Sequence, residues 1–154
     1  MADMLDGSRL RELALTLHDL SWRIARFGPA QAGVEPLPAS ELAVLRAVMD
    51  QPGRAMSEVA QSLAMQPSNV SAAVRALHDR GLVEKRPAAH DRRVTLLAPT
   101  PRALKEREQI EASITATVSA ALASLPAEQA DALRRALPAL RALAEQVGTA
   151  AWRL

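Results

Sequence analysis

The chain has 154 residues, a formal net charge of +2, no cysteine, and is 49% hydrophobic with only 2% aromatic residues. This length suits one compact unit with a core of Ala, Leu and Val, and the missing cysteine excludes disulfides, thiolate zinc sites and thiol redox sensing. The charge is uneven: residues 53–107 hold ten Lys/Arg against five Asp/Glu, a net of +5, while residues 1–52 and 108–154 net −2 and −1.

The start, Met1-Ala2-Asp3-Met4-Leu5-Asp6, is acidic and lacks the basic region of a signal peptide. No apolar run approaches the roughly 20 residues of a membrane span. A soluble, cytoplasmic protein with no membrane partner is predicted. Residues 8–27 read as an amphipathic helix through Leu10, Leu13, Leu17, Leu20, Ile24 and Phe27, stopped by Gly28-Pro29. After a connector at 28–38, a second helix at about 39–50 points Leu42, Leu45 and Val48/Met49 inward. Residues 57–64 form a short third helix with Ser57 as N-cap. A turn at Ala64-Met65-Gln66 leads to a fourth helix that opens on Pro67, runs to about Arg80 and ends at Gly81.

Residues 82–86 and 93–98 are short strands joined by a basic loop. Helix, turn, helix, hairpin is the order of a winged helix-turn-helix. Residues 101–123 then form a long helix through Leu104, Ile110, Ile114, Val118 and Leu122. A last helix opens at Leu125-Pro126-Ala127-Glu128 and continues through Leu133, Leu137, Leu140 and Val147, with a kink or break expected at Pro138. The fold class is therefore mainly α with a small β-wing. Three parts are expected: an N-terminal helix (1–36), a DNA-binding unit (37–98) and C-terminal helices (99–154). The first and last parts are more apolar on one face than a small DNA-binding unit needs, and pack economically as a dimerisation layer across a two-fold axis.

In the fourth helix Val70, Val74 and Leu77 share one face and should pack on Val59, Ala60 and Leu63. The opposite face carries Ser68, Asn69, Ser71, Ala72 and Arg75. Short polar groups and one long cation suit base edges in a major groove: Asn pairs with adenine, Arg with guanine, Ser with several partners. Gln66 and Ser68 stand at the helix start, where backbone N–H groups favour phosphate. Arg86, Arg92 and Arg93 in and beside the wing can reach the DNA backbone or a narrow minor groove. Asp91 cannot bind phosphate, and is expected to hold an arginine by a charge-assisted bond and shape the wing.

Residues from about 10 to 147 resemble the MarR family of bacterial winged-helix regulators. The resemblance is carried by the helix order and by Ser68-Asn69-Val70-Ser71, Leu77, Gly81-Leu82-Val83-Glu84-Lys85-Arg86 and Asp91-Arg92-Arg93, where Asp91 and Arg93 fit the family's Asp-x-Arg wing signature. The chain has Ser71-Ala72 where Thr-Arg is common. It has Leu97-Ala98-Pro99-Thr100-Pro101 where Leu-Thr-x-x-Gly is common, a change that leaves the fold intact because Pro101 can start a helix. The resemblance implies a homodimer on a palindromic operator of double-stranded DNA, acting as a repressor released by a small effector, frequently anionic or phenolic. It also implies a ligand pocket near the first two helices, for which His18, Trp22 and Arg26 are candidates.

Catalysis finds no support. His18 and Asp19 are adjacent and so diverge on a helix, His90-Asp91 lies in the wing, and there is no Gly-rich phosphate loop or metal-ligand spacing. No enzyme activity, metal or cofactor is predicted. The alternative is a winged-helix protein-interaction module without specific DNA binding, against which stand Arg75, Lys85, Arg86, Arg92 and Arg93, gathered on the two elements that would meet DNA.

Overall fold

The computed structural model describes residues 6–151. Six helices and three short strands follow in the order α1 (Gly7–Gln31), α2 (Ala39–Asp50), β1 (Arg54–Ala55), α3 (Met56–Ser62), α4 (Pro67–Asp79), β2 (Val83–Pro87), β3 (Thr95–Pro99), α5 (Pro101–Ala123) and α6 (Ala127–Ala151). The predicted class holds: mostly helix, with a small antiparallel sheet in the order β1-β3-β2. In the hairpin Val83 faces Pro99, Lys85 faces Leu97 and Pro87 faces Thr95. β1 was not predicted. Two residues carry no periodicity, and Arg54 and Ala55 become a strand only by pairing with Leu97 and Leu96.

The core sits between α2, α3, α4 and the sheet. Val44, Val48, Val59, Val70, Val74, Leu77, Val83 and Leu97 are buried there. On α2 the inward stripe is Val44, Leu45 and Val48, and Leu42 is displaced to an exposed edge. Leu42 and Val44 both keep helical spacing with their apolar neighbours, so periodicity alone selects neither. α3 begins one residue earlier than predicted, at Met56. Ser57 is not its N-cap: the Ala55 N–H is held by the Glu58 carboxylate at 2.7 Å, the glutamate half of a capping box. α4 does open on Pro67. Gly81 has φ +70°, a value that favours glycine just past a helix end.

α1 passes through Gly28-Pro29 and ends at Gln31. A Cβ on Gly28 would lie 3.1 Å from Ile114 Cγ1, so the glycine marks where α1 crosses α5 closely and not where the helix stops. Gln31 adds two bonds at the same crossing, accepting the hydroxyls of Thr117 at 2.8 Å and Ser113 at 3.3 Å. α5 starts as predicted, at Pro101, with Thr100 as N-cap accepting the Ala103 N–H. α6 continues through Pro138 as one helix, so of the kink or break expected there the break does not occur. Its stripe Leu133, Leu137, Leu140 and Val147 is exposed on the single chain.

Candidate nucleic-acid interface

α4 divides as its sequence requires. Val70, Ala73, Val74 and Leu77 are buried, while Ser68, Asn69, Ser71, Ala72 and Arg75 are exposed. Ser68, Ser71, Ala72 and Arg75 follow i, i+3, i+4, i+7 and so form one outward stripe. Asn69 lies to the side of it, in a shallow cleft with Ser40, Glu41 and Met65. Gln66 is exposed immediately before the helix, and its carbonyl accepts the N–H groups of Asn69 and Val70.

The wing is a closed turn. The Ala88 N–H donates to the Val94 carbonyl at 2.9 Å, and the Val94 N–H to the Asp91 carbonyl at 3.0 Å. Ala88 is buried, pinning the base of the loop. The Asp91 carboxylate accepts the backbone N–H of Arg93 at 2.9 Å. Asp91 therefore shapes the wing through Arg93's main chain, not by holding an arginine side chain as the sequence suggested. Arg92 and Arg93 are exposed. Among the described residues neither they, Arg75 nor Lys85 has a carboxylate within salt-bridge distance, whereas Arg86 is paired with Glu84 at 2.6 Å.

Two further polar residues join this surface. Ser57 and Gln61 of α3 line a cleft of about 580 Å³ together with Pro67 at the start of α4 and with Arg93 and Thr95 of the hairpin. The sequence offers Ser57 only as a cap. Once Glu58 satisfies the Ala55 N–H, the Ser57 hydroxyl is left at the mouth of this cleft. Backbone N–H groups, hydroxyls, an amide and an unpaired guanidinium together can hold a phosphodiester and admit a helix to the groove beside it.

The arrangement differs at the predicted ligand residues. His18, Trp22 and Arg26 recur every four residues on an exposed face of α1, where Trp22 is 52% exposed and the Arg26 guanidinium lies 5.2 Å from its ring centroid. Arg26 and Trp22 stack in the open on the single chain, with His18 one turn before them. A cleft of about 370 Å³ lies instead between α2 and α5, walled by Leu37, Leu45, Met49, Ile110 and Ile114. Arg46 and Arg107 stand at its rim. Arg107 holds its proton more firmly than usual, chiefly through its bond to Glu111, while slight burial opposes this and Asp50 adds attraction. Among the described residues no cluster could hold a metal ion, and no helix is long and apolar enough to cross a membrane.

Residues 35–94, from the connector before α2 to the end of the wing, match the MarR family model. Over these residues the chain is similar to the MarR family. Members of this family are transcription regulators, not enzymes. Solved structures extend the likeness from these residues to the whole fold. The Mycobacterium tuberculosis protein RV1404 superposes with a TM-score of 0.78 at 20% identity, covering 92% of this chain and 96% of its own. The multiple antibiotic-resistance repressor MarR of Listeria monocytogenes gives 0.69 at 18% identity, covering 94% and 99%. FabT of Streptococcus pneumoniae, solved in complex with DNA, gives 0.64 at 17% identity, covering 92% and 99%. No curated protein matches the chain in sequence.

Proposed function

We propose that this chain is a sequence-specific, DNA-binding transcription regulator that works as a homodimer in the cytoplasm, as a ligand-responsive repressor on a pseudo-palindromic operator. The observation that carries this reading is the shared surface of α4 and the wing. The stripe Ser68, Ser71, Ala72 and Arg75 is turned outward, Arg93 shares a cleft with Pro67 at the start of α4, and Arg92, next to it on the wing, is exposed. In this reading Asn69, Ser71, Ala72 and Arg75 meet base edges, and Gln66, Ser68 and the wing residues Arg86, Arg92 and Arg93 meet the backbone, while Asp91 sets the wing's shape. α1, α5 and α6 form the dimer layer. A two-fold relation between two copies of α4 calls for half-sites about one helical turn, roughly 10 bp, apart. That FabT was solved with DNA supports the reading.

An effector fits the cleft between α2 and α5 better than the open face of α1 at His18, Trp22 and Arg26. Arg107 there is committed to Glu111, but Arg46 has no carboxylate within salt-bridge distance among the described residues. Apolar walls beside one free guanidinium suit a small apolar anion.

Selection of bound duplexes from a random library tests the function. The expected product is an inverted repeat bound by two chains, with affinity that falls steeply as salt rises. Failure to retard any duplex, even at low salt, would leave the fold as a protein-interaction module.

A further inference from the structure

The end of α4 is capped by the start of α5. A helix leaves its last carbonyls without intrahelical partners, and here groups from the next long helix take two of the carbonyls at this end. The Thr100 hydroxyl donates to the Gly81 carbonyl at 2.6 Å, and the Arg102 guanidinium donates to the Arg80 carbonyl at 2.9 Å. Thr100 is at once the N-cap of α5, and Arg102 is held from behind by Glu106 at 2.8 Å. The main chain joins in, since the Thr100 N–H donates to the Leu82 carbonyl at 3.1 Å.

The side chain of Arg80 reaches the other way. Its guanidinium lies 3.6 Å from Glu35, in the connector after α1, and 3.9 Å from Glu41 on α2. The nearest oxygen of Glu41 is buried and has no hydrogen-bond partner. That carboxylate is therefore neutralised by Arg80 through space and not by a formed bond. At Arg80 the end of α4, the recognition helix of the proposed function, thus meets α2, the α1–α2 connector and α5.

We propose that Arg80, Thr100 and Arg102 form a rigid joint between the recognition helix and the dimer layer, and that this joint sets the half-site spacing the protein accepts. The proposal rests on the dimeric, DNA-reading function given above. In a dimer the distance between the two copies of α4 depends on how each is fixed to the helix that leads to the two-fold axis. If α4 is bonded end-on to α5, it cannot swing about the axis independently of the dimer layer. Without those side-chain bonds α4 loses its directional tie to α5 and is left with its apolar contacts to the core and the looser charge pairs of Arg80, which resist sliding and tilting less. Arg80, Thr100 and Arg102 touch no base in this arrangement. They act as positioning residues, through α4.

The test is a spacing profile. The selected operator is rebuilt with its half-sites moved by one or two base pairs in either direction, and each duplex is titrated with the full chain. The wild-type protein should lose about tenfold or more in affinity for each base pair moved, because the second recognition helix is carried out of register with its groove. Arg102→Ala and the double variant Thr100→Val/Arg102→Ala should flatten the profile to about threefold or less per step, the double variant more, since the bonds lost carry no base readout. Random-duplex affinity and the sedimentation of the free dimer should stay as in wild type. The Arg102 side chain is 64% exposed, so its truncation leaves the core whole. Arg102→Gln keeps an N–H donor for the Arg80 carbonyl and should restore the sharp profile. A profile as sharp in Arg102→Ala and in the double variant as in wild type would overturn the joint alone. A wild-type protein indifferent to spacing, or bound as one chain per operator, would overturn the dimeric reading and the joint with it.

Discussion

The centre of the chain and its two ends bury their apolar residues differently. Among the described residues, Ala103 and Ala130 are the only buried hydrophobic residues outside 44–97. α1 leaves Leu10, Leu13, Leu20 and Trp22 exposed, and α6 leaves Leu133, Leu137, Leu143 and Val147 exposed, Val147 by 59%. The winged unit closes its own core: α2, α3 and α4 each bring a short stripe, and the sheet covers it. The terminal helices are amphipathic, and apart from the close α1–α5 crossing much of their apolar stripes stays uncovered in one chain. Apolar side chains exposed in such numbers at helical spacing mark a surface that is used. This contrast ties the proposed dimer to the physics of the single chain: the reading unit is complete alone, and the layer that would pair two of them is half-built.

The largest expected effect comes from attacking the half-built layer. Leu133→Glu with Leu137→Glu puts two carboxylates per chain on one helical face, four across a two-fold. Each buried leucine contributes about 1.5–3 kcal/mol, and each buried charge adds a desolvation cost. The variant should sediment as a monomer and lose at least about 100-fold in operator affinity, at about 1.4 kcal/mol per tenfold. Its winged unit should keep native-like circular dichroism. A variant that stays dimeric would show that these residues lie outside the interface.

Damage to the complete core should look different. Leu77 is fully buried, and Leu77→Ala should cost about 2–5 kcal/mol of stability, read as a lower urea midpoint. In the wild-type protein the midpoint should rise with protein concentration, because assembly stabilises the fold by mass action. Leu77→Ala should keep that dependence, and the Leu133→Glu/Leu137→Glu variant should lose it. An equal concentration dependence in both variants would erase the distinction between the two regions.

The same contrast explains what was legible in the sequence. α4 was readable almost to the residue because every local signal agreed: Pro67 at its start, Gly81 past its end, and one stripe of Val70, Val74 and Leu77. The misread positions are those whose role is set by a distant partner. Gly28-Pro29 looks like a stop, yet the neighbouring Ile114 gives Gly28 its meaning. β1 exists only through β3. Leu133 and Leu137 have a clear helical period, but the period does not say that the buried side lies in another molecule. The candidate DNA residues were found by chemistry on the readable helix. Ser57 and Gln61 were missed because their place beside Arg93 depends on the turn between α3 and α4, where Ala64 adopts φ +48°.

A smaller effect separates reading from holding on the exposed face. Asn69→Ala and Arg75→Ala should each reduce operator binding by about 1–3 kcal/mol, as the loss of a base contact does, with little change on random duplex. Both residues are exposed and neither supports the core, so melting temperatures should stay close to wild type. Equal losses on the two duplexes would move them to the phosphate-contacting set. Asn69 is the more informative of the pair, because it stands beside the outward stripe and reaches bases only if α4 lies in the groove tilted toward its α2 side.

The smallest effect is at Asp91, where charge and shape predict opposite signs. Simple electrostatics says that removing an acid near phosphate tightens binding. The structure says that the same carboxylate fixes the Arg93 N–H at 2.9 Å and so holds the wing tip in its turn. An exposed bond of this kind contributes about 0.5–1.5 kcal/mol. Asp91→Ala should therefore weaken binding to every duplex by several-fold, despite the gain in positive charge. Asp91→Asn keeps an acceptor oxygen in place and removes only the charge, so it should bind at least as tightly as wild type. The pair separates the two causes at one position, because Asn matches Asp in size and keeps the acceptor that Ala removes. If Asp91→Ala also bound more tightly, with an unchanged melting temperature, the wing's shape would not matter to binding and its cations would act as loose charges. If both variants were weaker, the carboxylate's charge itself would be required, and the natural test would be to look for an arginine that it engages only on DNA.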